Sequence, residues 1–408
     1  MVRKLCIVHQ YFYPELAGSA QQLTDLAINL RRLGWEVTVY TGRPSYLGRK
    51  RMPRREVYQG VIIYRVFKTQ LNKNVRLGRI FNAFTFFISA VFHLLFRKKA
   101  EGLLFIGTDP PFLGLVGWML KKLRGQRYVL LIQDIYPDVA TKVGYLRPNS
   151  PIVRLWEWVN ALICGGATHV ITLGDHMKKT VQRKWETGRN GSITVIHNWA
   201  DGDLITPREK ERNWFCNRYA LVDKTVVLYS GNMGVVHDLE TIIVAARELR
   251  HSKDIRFVFI GDGAKKHQLV NVVKQHDIDN VLFLPYQPRE NTPFSLTCGD
   301  VSVITMERGT EGLLVPGKLY SSLAAGQAIL GIVGENSEIA EIIKTYSCGF
   351  RVDQGDTRGV VESINRLQKD KDLLETLKKN ARRCFEENFT KDHALKKYNE
   401  VFQEVVSS

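Results

Sequence analysis

The stretch LCIVHQYFYPELAGSAQQLTDLAINLRRLGWEVTVYT, residues 5–41, decides the fold class. It opens with a short apolar run, Leu5–Val8, and closes with a second one, Trp35–Thr41. Between the two runs, apolar residues recur at the spacing of one helix face: Leu23, Leu26, Ala27, Leu30 and Leu33. A strand, a loop, a helix and a second strand in this order predict the first unit of a parallel, doubly wound sheet.

The alternation of strand and helix patterns continues along the chain and restarts after a polar segment at residues 197–201. A chain of 408 residues is long enough for two such domains. We therefore predict an α/β protein with two Rossmann-like doubly wound domains, residues 1–198 and 199–385, and a cleft between them. Ligands of such folds bind beyond the carboxyl ends of the strands, so the loops that follow strands are the places to search.

The net positive charge of the chain comes entirely from its first half. The net charge is +17, yet residues 1–200 hold 30 Lys and Arg against 11 Asp and Glu, and the remainder holds 28 against 30. This asymmetry favours a polyanionic partner, which is nucleic acid, anionic lipid or a phosphorylated substrate, over a charge that serves only solubility. With 44% hydrophobic and 24% charged residues, the composition excludes a disordered or collagen-like chain.

The cysteines and the start of the chain indicate the compartment. None of the six cysteines forms a CxxC pair, which is typical of free thiols in a reducing compartment and gives no reason to expect a metal site. The apolar run near Met1 is too short for a signal peptide and looks like a strand. We expect a cytoplasmic protein.

One segment, IFNAFTFFISAVFHLLF at residues 80–96, differs from the rest of the chain. Its 17 residues are at the short limit for crossing a bilayer. A buried core helix is one alternative. The other is a helix that is partly exposed and dips into a membrane surface, helped by basic residues in the nearby loop Arg49–Arg55.

Two loops that follow strands combine glycine with the start of a helix. In the first, Gly18 lets the backbone approach a ligand, and the helix behind it favours an anion. In the second, Gly231 and Gly234 precede a helix, and His237 is placed to give phosphate a hydrogen bond or a charge. An ordinary turn between a strand and a helix explains the first loop equally well. Neither reads GxGxxG, so a dinucleotide is not indicated.

Two further features follow strands of the second half. Gly261 and Gly263 flank an aspartate, and Lys318 stands at the start of a helix. A lysine at a helix N-terminus is electrostatically unfavourable unless an anion compensates it. Lys318 is therefore a candidate phosphate ligand, with a solvated surface lysine as the alternative.

The ordered set of motifs resembles the retaining family 4 glycosyltransferases, which have two Rossmann-like domains (the GT-B type). The resemblance covers residues 3–400. Within the family, the sequence is most similar to the bacterial subgroup that builds O-antigen, capsule and colanic-acid-like polysaccharides. Its motifs are the opening stretch quoted above, QDIYPD at 133–138, VIHNWAD at 195–201, YSGNMG at 229–234, FIGDG at 259–263 and VPGKLYSSLAAGQAILG at 315–331.

The resemblance implies retaining transfer from a UDP- or GDP-sugar, with the nucleotide sugar as substrate, no metal, and a C-terminal helix over residues 386–408 that crosses back to the first domain. It implies Asp134, Lys318 and His237 as catalytic residues, although Asp134 also fits a simple turn before Pro137. The donor-binding residues it implies are Gly18, Gly231, Asn232, Gly234, Gly261, Gly263, Glu311 and Lys318.

Two positions depart from the family pattern. Asn232 stands where the family has an arginine, and His237 is the only basic residue in that loop. Leu313 and Ser321 occupy the places of two glutamates, with Glu311 nearby but out of register. We interpret these changes as a character of the subgroup, although they also fit an inactive scaffold.

The resulting hypothesis is a cytoplasmic glycosyltransferase at the inner face of the plasma membrane. It would act on a lipid-linked acceptor at an anionic membrane surface, and no nucleic acid would be its partner. The alternatives are a sugar-nucleotide epimerase of the same fold, and a basic nucleic-acid-binding protein, for which the sequence shows no known motif.

Overall fold

A computed structural model describes residues 3–15, 18–43, 52–71, 76–97, 102–185 and 192–407. The chain divides into two compact units. The first unit consists of Met1–Thr141, Leu146–His197 and Ala394–Ser408, and the second consists of Lys142–Tyr145 and Asn198–His393.

The first unit alternates strands and helices, as the opening stretch predicts. Its strands are β1 (Lys4–Val8), β2 (Glu36–Thr41), β3 (Arg55–Tyr58), β4 (Val61–Arg65), β5 (Leu103–Gly107), β6 (Tyr128–Ile132), β7 (His169–Thr172) and β8 (Ile193–Val195). Its helices are α1 (Gly18–Arg32), α2 (Arg76–Phe92), α3 (Gly114–Arg124), α4 (Asp138–Lys142), α5 (Pro151–Gly166) and α6 (Asp175–Lys184). A π-helical turn, His93–Arg97, continues α2.

The strands of the first unit form one sheet in the order β3-β4-β2-β1-β5-β6-β7-β8. All neighbours run parallel except β3, which pairs antiparallel with β4. The central strands β5 and β6 are buried along their whole length, as expected for a sheet that helices cover on both faces. The order reverses direction at β1, so the loops after β1 and β5 lie next to each other at the carboxyl edge.

The second unit repeats this architecture with a shorter sheet. Its strands are β9 (Thr225–Ser230), β10 (Ile255–Ile260), β11 (Val281–Leu284), β12 (Val301–Thr305), β13 (Ala328–Ile332) and β14 (Gly349–Val352). Its helices are α7 (Trp214–Arg218), α8 (Glu240–Glu248), α9 (Lys266–Gln275), α10 (Thr292–Leu296), α11 (Lys318–Ala324), α12 (Glu338–Tyr346), α13 (Thr357–Lys369) and α14 (Lys371–Asn388). The sheet order β11-β10-β9-β12-β13-β14 is parallel throughout and reverses at β9.

The last helix, α15 (Lys391–Ser407), belongs to the first unit from Ala394 onward and packs on it there. Asn399 accepts a 2.9 Å hydrogen bond from the indole of Trp35, and Phe402 meets the ring of Phe105 at 5.0 Å. The helix begins at Lys391, five residues after the predicted bound of 386, because α14 extends to Asn388.

Candidate active site

Two glycines after β10 allow the loop after β9 to lie against them. A Cβ atom on Gly261 would stand 2.0 Å from the carbonyl oxygen of Gly231, and one on Gly263 would stand 2.5 Å from the backbone of Met233. Both glycines have positive φ, +143° and +155°. The close contact between the two loops is therefore the first reason for these glycines, before any approach of a ligand.

Lys318, the first residue of α11, is buried at its charged end. Its Nζ has no hydrogen-bond partner among the described residues and lies 3.7 Å from the centroid of the Tyr229 ring. Burial lowers the pKa of Lys318 well below its usual value of 10.5. Its Cε is 3.5 Å from the Cβ position of Gly231, so the ammonium group lies beside the loop after β9. A buried donor without a partner is unfavourable, and an anion bound at this loop would remove the penalty.

The structure corrects the predicted role of His237. Its Nδ1 lies 2.7 Å from the carbonyl oxygen of Thr305 and donates to it. Burial, and then the charge of Lys318, lower the pKa of His237 to about 3. The ring is thus neutral at pH 7 with its proton on Nδ1, and Nε2 can only accept. Donation of a hydrogen bond or a charge to phosphate was therefore the wrong prediction.

Lys265, which the sequence analysis missed, places a second ammonium group near His237. Its Nζ donates to the His237 carbonyl at 2.7 Å, to Glu240 at 2.9 Å and to Glu307 at 2.6 Å. Burial would lower the pKa of Lys265, but the hydrogen bonds to Glu307 and Glu240 outweigh it and raise the pKa. The charge of Lys265 is therefore balanced inside the protein, whereas that of Lys318 is not. Only the run of two lysines after Gly263 hinted at this residue.

Asn232 and Glu311 differ in what they offer a ligand. Asn232 is exposed to solvent. Its backbone carbonyl oxygen accepts a 2.6 Å hydrogen bond from the Tyr229 hydroxyl. Glu311 already accepts from the backbone of Gly309 at 2.7 Å and of Gly334 at 3.1 Å, and from Gln354 at 2.6 Å. Its carboxylate fastens three loops together, and its direct contact with a nucleotide stays a prediction.

Apart from Glu311, the predicted residues of the second unit come together around Tyr229. Lys318 and His237 both lie near its ring, the latter with ring centroids 6.1 Å apart. The loop residues that meet there are Gly231, Asn232, Gly234, Gly261 and Gly263. Tyr229 belongs to the motif YSGNMG, but its role could not be predicted, because a tyrosine at the end of a buried strand resembles an ordinary core residue.

In the first unit, Asp134 follows β6 and has a carboxylate neighbour. Asp134 is partly exposed to solvent. Desolvation by the surrounding protein, and then the charge of Asp109, raise the pKa of Asp134 to about 6. Burial also raises the pKa of Asp109, against the opposing charges of His9 and Lys68. Asp134 borders a small cavity whose lining includes Thr108, Tyr136 and Asn160.

The loops after β1 and β4 supply further buried residues at this edge. His9 is buried, with Nδ1 2.8 Å from the Tyr11 carbonyl and Nε2 3.2 Å from Oε1 of Gln133. Lys68 is almost fully buried, and its Nζ lies 5.0 Å from the Tyr11 ring centroid. Neither residue was predicted from the sequence, although His9 follows β1 at the reversal point of the sheet and Lys68 follows β4 at the same edge.

Gly18 begins α1, and a Cβ atom there would have no neighbour within 4 Å. The space that the prediction required is therefore present, while residues 16 and 17 of the same loop lie outside the described residues. Residues 49–51 of the basic loop Arg49–Arg55, which was predicted near a membrane, lie outside them too.

Two family models match the chain, one in each half. Residues 17–199 match the model described as "Glycosyl transferase 4-like domain", and residues 217–384 match "Glycosyl transferases group 1". The two matches include the loops after β6 and β9 described above.

Two similar proteins of known name extend this finding. The chain is 30% identical over 304 residues to the "Probable glycosyltransferase WbjE" of Pseudomonas aeruginosa, which covers 72% of this chain and 73% of that protein. It is 25% identical over 367 residues to the "Putative colanic acid biosynthesis glycosyl transferase WcaI" of Escherichia coli K12, with 84% and 86% covered.

Solved structures share the fold at low sequence identity. Sucrose-phosphate synthase from Thermosynechococcus elongatus superposes with a TM-score of 0.79 at 16% identity, with 99% of each chain covered. HepE from Anabaena, in complex with UDP-glucose, superposes with a TM-score of 0.71 at 15% identity, also with 99% of each chain covered.

Proposed function

Because this chain belongs to the group 1 glycosyltransferases and has their two-domain α/β fold of the GT-B type, we propose which sugar transfer it performs. The reaction moves a sugar from a UDP- or GDP-sugar to a lipid-linked glycan acceptor during assembly of a bacterial surface polysaccharide, with retention of the anomeric configuration. The enzyme works in the cytoplasm, where nucleotide sugars are made available.

The observation that supports a nucleotide-sugar donor most directly is the unpartnered ammonium group of Lys318. It is buried next to the loop after β9, at the carboxyl edge where ligands of parallel sheets bind. A diphosphate would give Lys318 the anionic partner that it lacks in the described part of the chain. The similar structure of HepE with UDP-glucose supports the same donor class.

The polysaccharide context rests on the relatives. WcaI is named for colanic acid biosynthesis, and the chain covers 86% of it. A lipid-linked acceptor agrees with the basic first half of this chain, because lipid phosphates would give these basic residues an anionic partner.

The chemistry follows from what these side chains can do. In the transfer, the bond between the sugar carbon C1 and the diphosphate oxygen breaks, and an acceptor hydroxyl forms the new bond from the same face. The hydroxyl proton passes to a diphosphate oxygen, so no protein base is required. Lys318 stabilises the charge that develops on the leaving diphosphate. His237, which is neutral, does not act as an acid.

Asp134 serves the sugar and not the diphosphate. With a pKa near 6 it is mostly ionised at pH 7, so its carboxylate accepts a hydrogen bond from a sugar hydroxyl. A carboxylate without a lysine or arginine bonded to it is available for such a contact, and the described residues show no ion pair to Asp134.

The test is a transfer assay on the purified chain with a panel of UDP- and GDP-sugars and a lipid extract as acceptor. We expect release of one nucleoside diphosphate that depends on the acceptor, and a product whose anomeric configuration matches the donor. An epimerase would convert the donor sugar without any acceptor. Binding of short DNA or RNA but of no nucleoside diphosphate would replace the proposal with the nucleic-acid alternative.

A further inference from the structure

Helix α2 and the turn that continues it leave a wide apolar face open to solvent. Seven large side chains on this face are between 50% and 74% exposed: Leu77, Ile80, Phe81, Phe84, Ile88, Phe92 and Phe96. They recur at intervals of three or four residues, so they form one stripe. The opposite face is buried through Phe86, Ala90 and Leu94. No described residue covers the apolar stripe.

This helix is not the core helix of an ordinary soluble domain. Leu77–Phe96 is long and apolar enough to cross a membrane by length and composition, yet only 22% of its apolar window is buried in the protein. Scattered apolar residues on a surface need no explanation, but a continuous stripe of this size marks a contact with a partner or a membrane.

The packing of α2 also argues against a crossing of the membrane. Its Asn82 accepts from the Thr69 hydroxyl at 2.8 Å and from the Leu71 backbone at 3.0 Å, and Phe87 meets the Phe112 ring at 5.4 Å. The helix therefore stays attached to its domain between β4 and β5, two strands of one sheet. Only the exposed stripe is available to lipid.

A second exposed apolar group lies on the same side of the sheet. Ile152, Leu155 and Trp158 of α5 are each 60% or 61% exposed. Helix α3 packs between the two: Phe112, just before the helix, contacts α2, and Trp118 lies next to Gly166 of α5. We call the seven residues of α2 and the three of α5 the α2–α5 face.

The charges around this face favour an anionic lipid surface over a protein partner. Helices α2, α3 and α5 with the turn His93–Arg97 contain seven Lys and Arg and one acid, Glu157. Glu157 is already bonded to Lys184 at 2.6 Å and to the Trp185 indole at 2.9 Å. Apolar side chains bordered by uncompensated positive charge are the pattern of helices that lie in a membrane interface. Exposed Arg79, Lys122 and Arg154 are placed to meet lipid phosphates.

We propose that the α2–α5 face lies on an anionic lipid leaflet, with α2 parallel to the membrane plane and its aromatic side chains in the headgroup region. This inference deepens the proposed function. Only one part of it, that the enzyme meets its acceptor at the membrane, rests on that function. The lipid contact itself requires neither donor nor acceptor, so it is tested separately.

The experiment measures binding of the full chain to vesicles of phosphatidylcholine with and without phosphatidylglycerol. One variant carries F81S, F84S and I88S, a second carries I152S, L155S and W158S, and a control carries L33S and V406S, which are also exposed apolar residues. We expect binding only with the anionic lipid, a loss of about tenfold or more in either face variant, no change in the control, and weaker binding at high salt.

A second measurement keeps the test decisive if a triple variant folds poorly, which thermal unfolding will show. Tryptophan fluorescence should shift to shorter wavelength when anionic vesicles are added, and W158F should remove most of that shift. Equal binding of the control and the face variants would overturn the proposal. So would a dimer of the wild type in sedimentation velocity that the face variants abolish, because a second copy would then cover the face. Sugar transfer to a water-soluble acceptor should persist in the face variants. This assay distinguishes failure of the lipid-contact proposal from failure of the proposed function.

Discussion

Replacing Lys318 by methionine, K318M, should separate the stability of the free protein from its affinity for a diphosphate. The substitution keeps the length and apolar volume of the side chain and removes its buried ammonium group. In the free protein, Nζ has only the Tyr229 ring as a favourable contact, at 3.7 Å, and no hydrogen-bond partner among the described residues.

The magnitude follows from two opposing contributions. Loss of the cation–π contact should cost about 1–2 kcal/mol. Removal of a buried donor without a partner should return about 1–3 kcal/mol. These contributions nearly cancel, so we expect the free energy of unfolding of K318M to lie within about 1 kcal/mol of the wild type. A bond from the ammonium group to a diphosphate is worth about 1.5–3 kcal/mol, so the affinity for UDP or GDP should fall by about 10- to 150-fold.

The assay combines chemical denaturation of the free proteins with calorimetric titration of UDP and GDP. Lys344→Met, which removes an exposed lysine of α12, is the matched control and should leave both quantities unchanged. Because burial lowers the pKa of Lys318, diphosphate binding should also take up a proton when the pH exceeds that lowered pKa. The reasoning is refuted if K318M loses several kcal/mol of stability while its affinity for both nucleotides is unaltered.

Three further predictions concern single residues. The pKa of His237 is about 3 in the folded protein and near 6.5 in the unfolded chain, so between these pH values only the unfolded chain binds the extra proton. The free energy of unfolding should therefore fall as the pH drops through this window. Denaturation of H237Q at several pH values should show that this pH dependence is lost. D134N should lower kcat and remove a limb near pH 6 from the pH–rate profile. It should be as stable as the wild type at pH 7, because the raised pKa makes ionisation of Asp134 unfavourable to the fold. An unchanged pH–rate profile would show that Asp134 is not part of the site. G261A should destabilise the second unit by more than about 2 kcal/mol, since its Cβ would lie 2.0 Å from the Gly231 carbonyl oxygen. Thermal unfolding measures this, with G18A as the control, because a Cβ at Gly18 has no neighbour within 4 Å. Equal melting temperatures of the two variants would contradict this prediction.

The general architecture could be predicted because it depends on local periodicity. Alternating apolar runs and helix patterns identified the parallel sheets of both units, and the polar segment at 197–201 marks the place where the second unit begins. The pair β3 and β4 was missed. Its two-residue turn, Gln59–Gly60, has positive φ at both positions, yet Gln-Gly is a weaker hairpin signal than Asn-Gly or Asp-Gly.

The candidate site was predictable in its loops and unpredictable in its charges. Glycines after strands identified the loops at the carboxyl edge of the second sheet. Whether a basic residue is buried, paired or neutral depends on residues distant in the sequence, such as Thr305 for His237 and Glu307 for Lys265. The same limit applies to the segment 80–96, whose composition fits a buried, a spanning or an interfacial helix until its packing is known.

The most direct test of the account is the release of nucleoside diphosphate by the wild type and by K318M, measured with a panel of UDP- and GDP-sugars and a lipid-linked acceptor extract. The account predicts acceptor-dependent release from one donor class by the wild type, and a rate at least about 100-fold lower in K318M. Release at the same rate by both proteins, or no release from any donor while the acceptor is present, would contradict it.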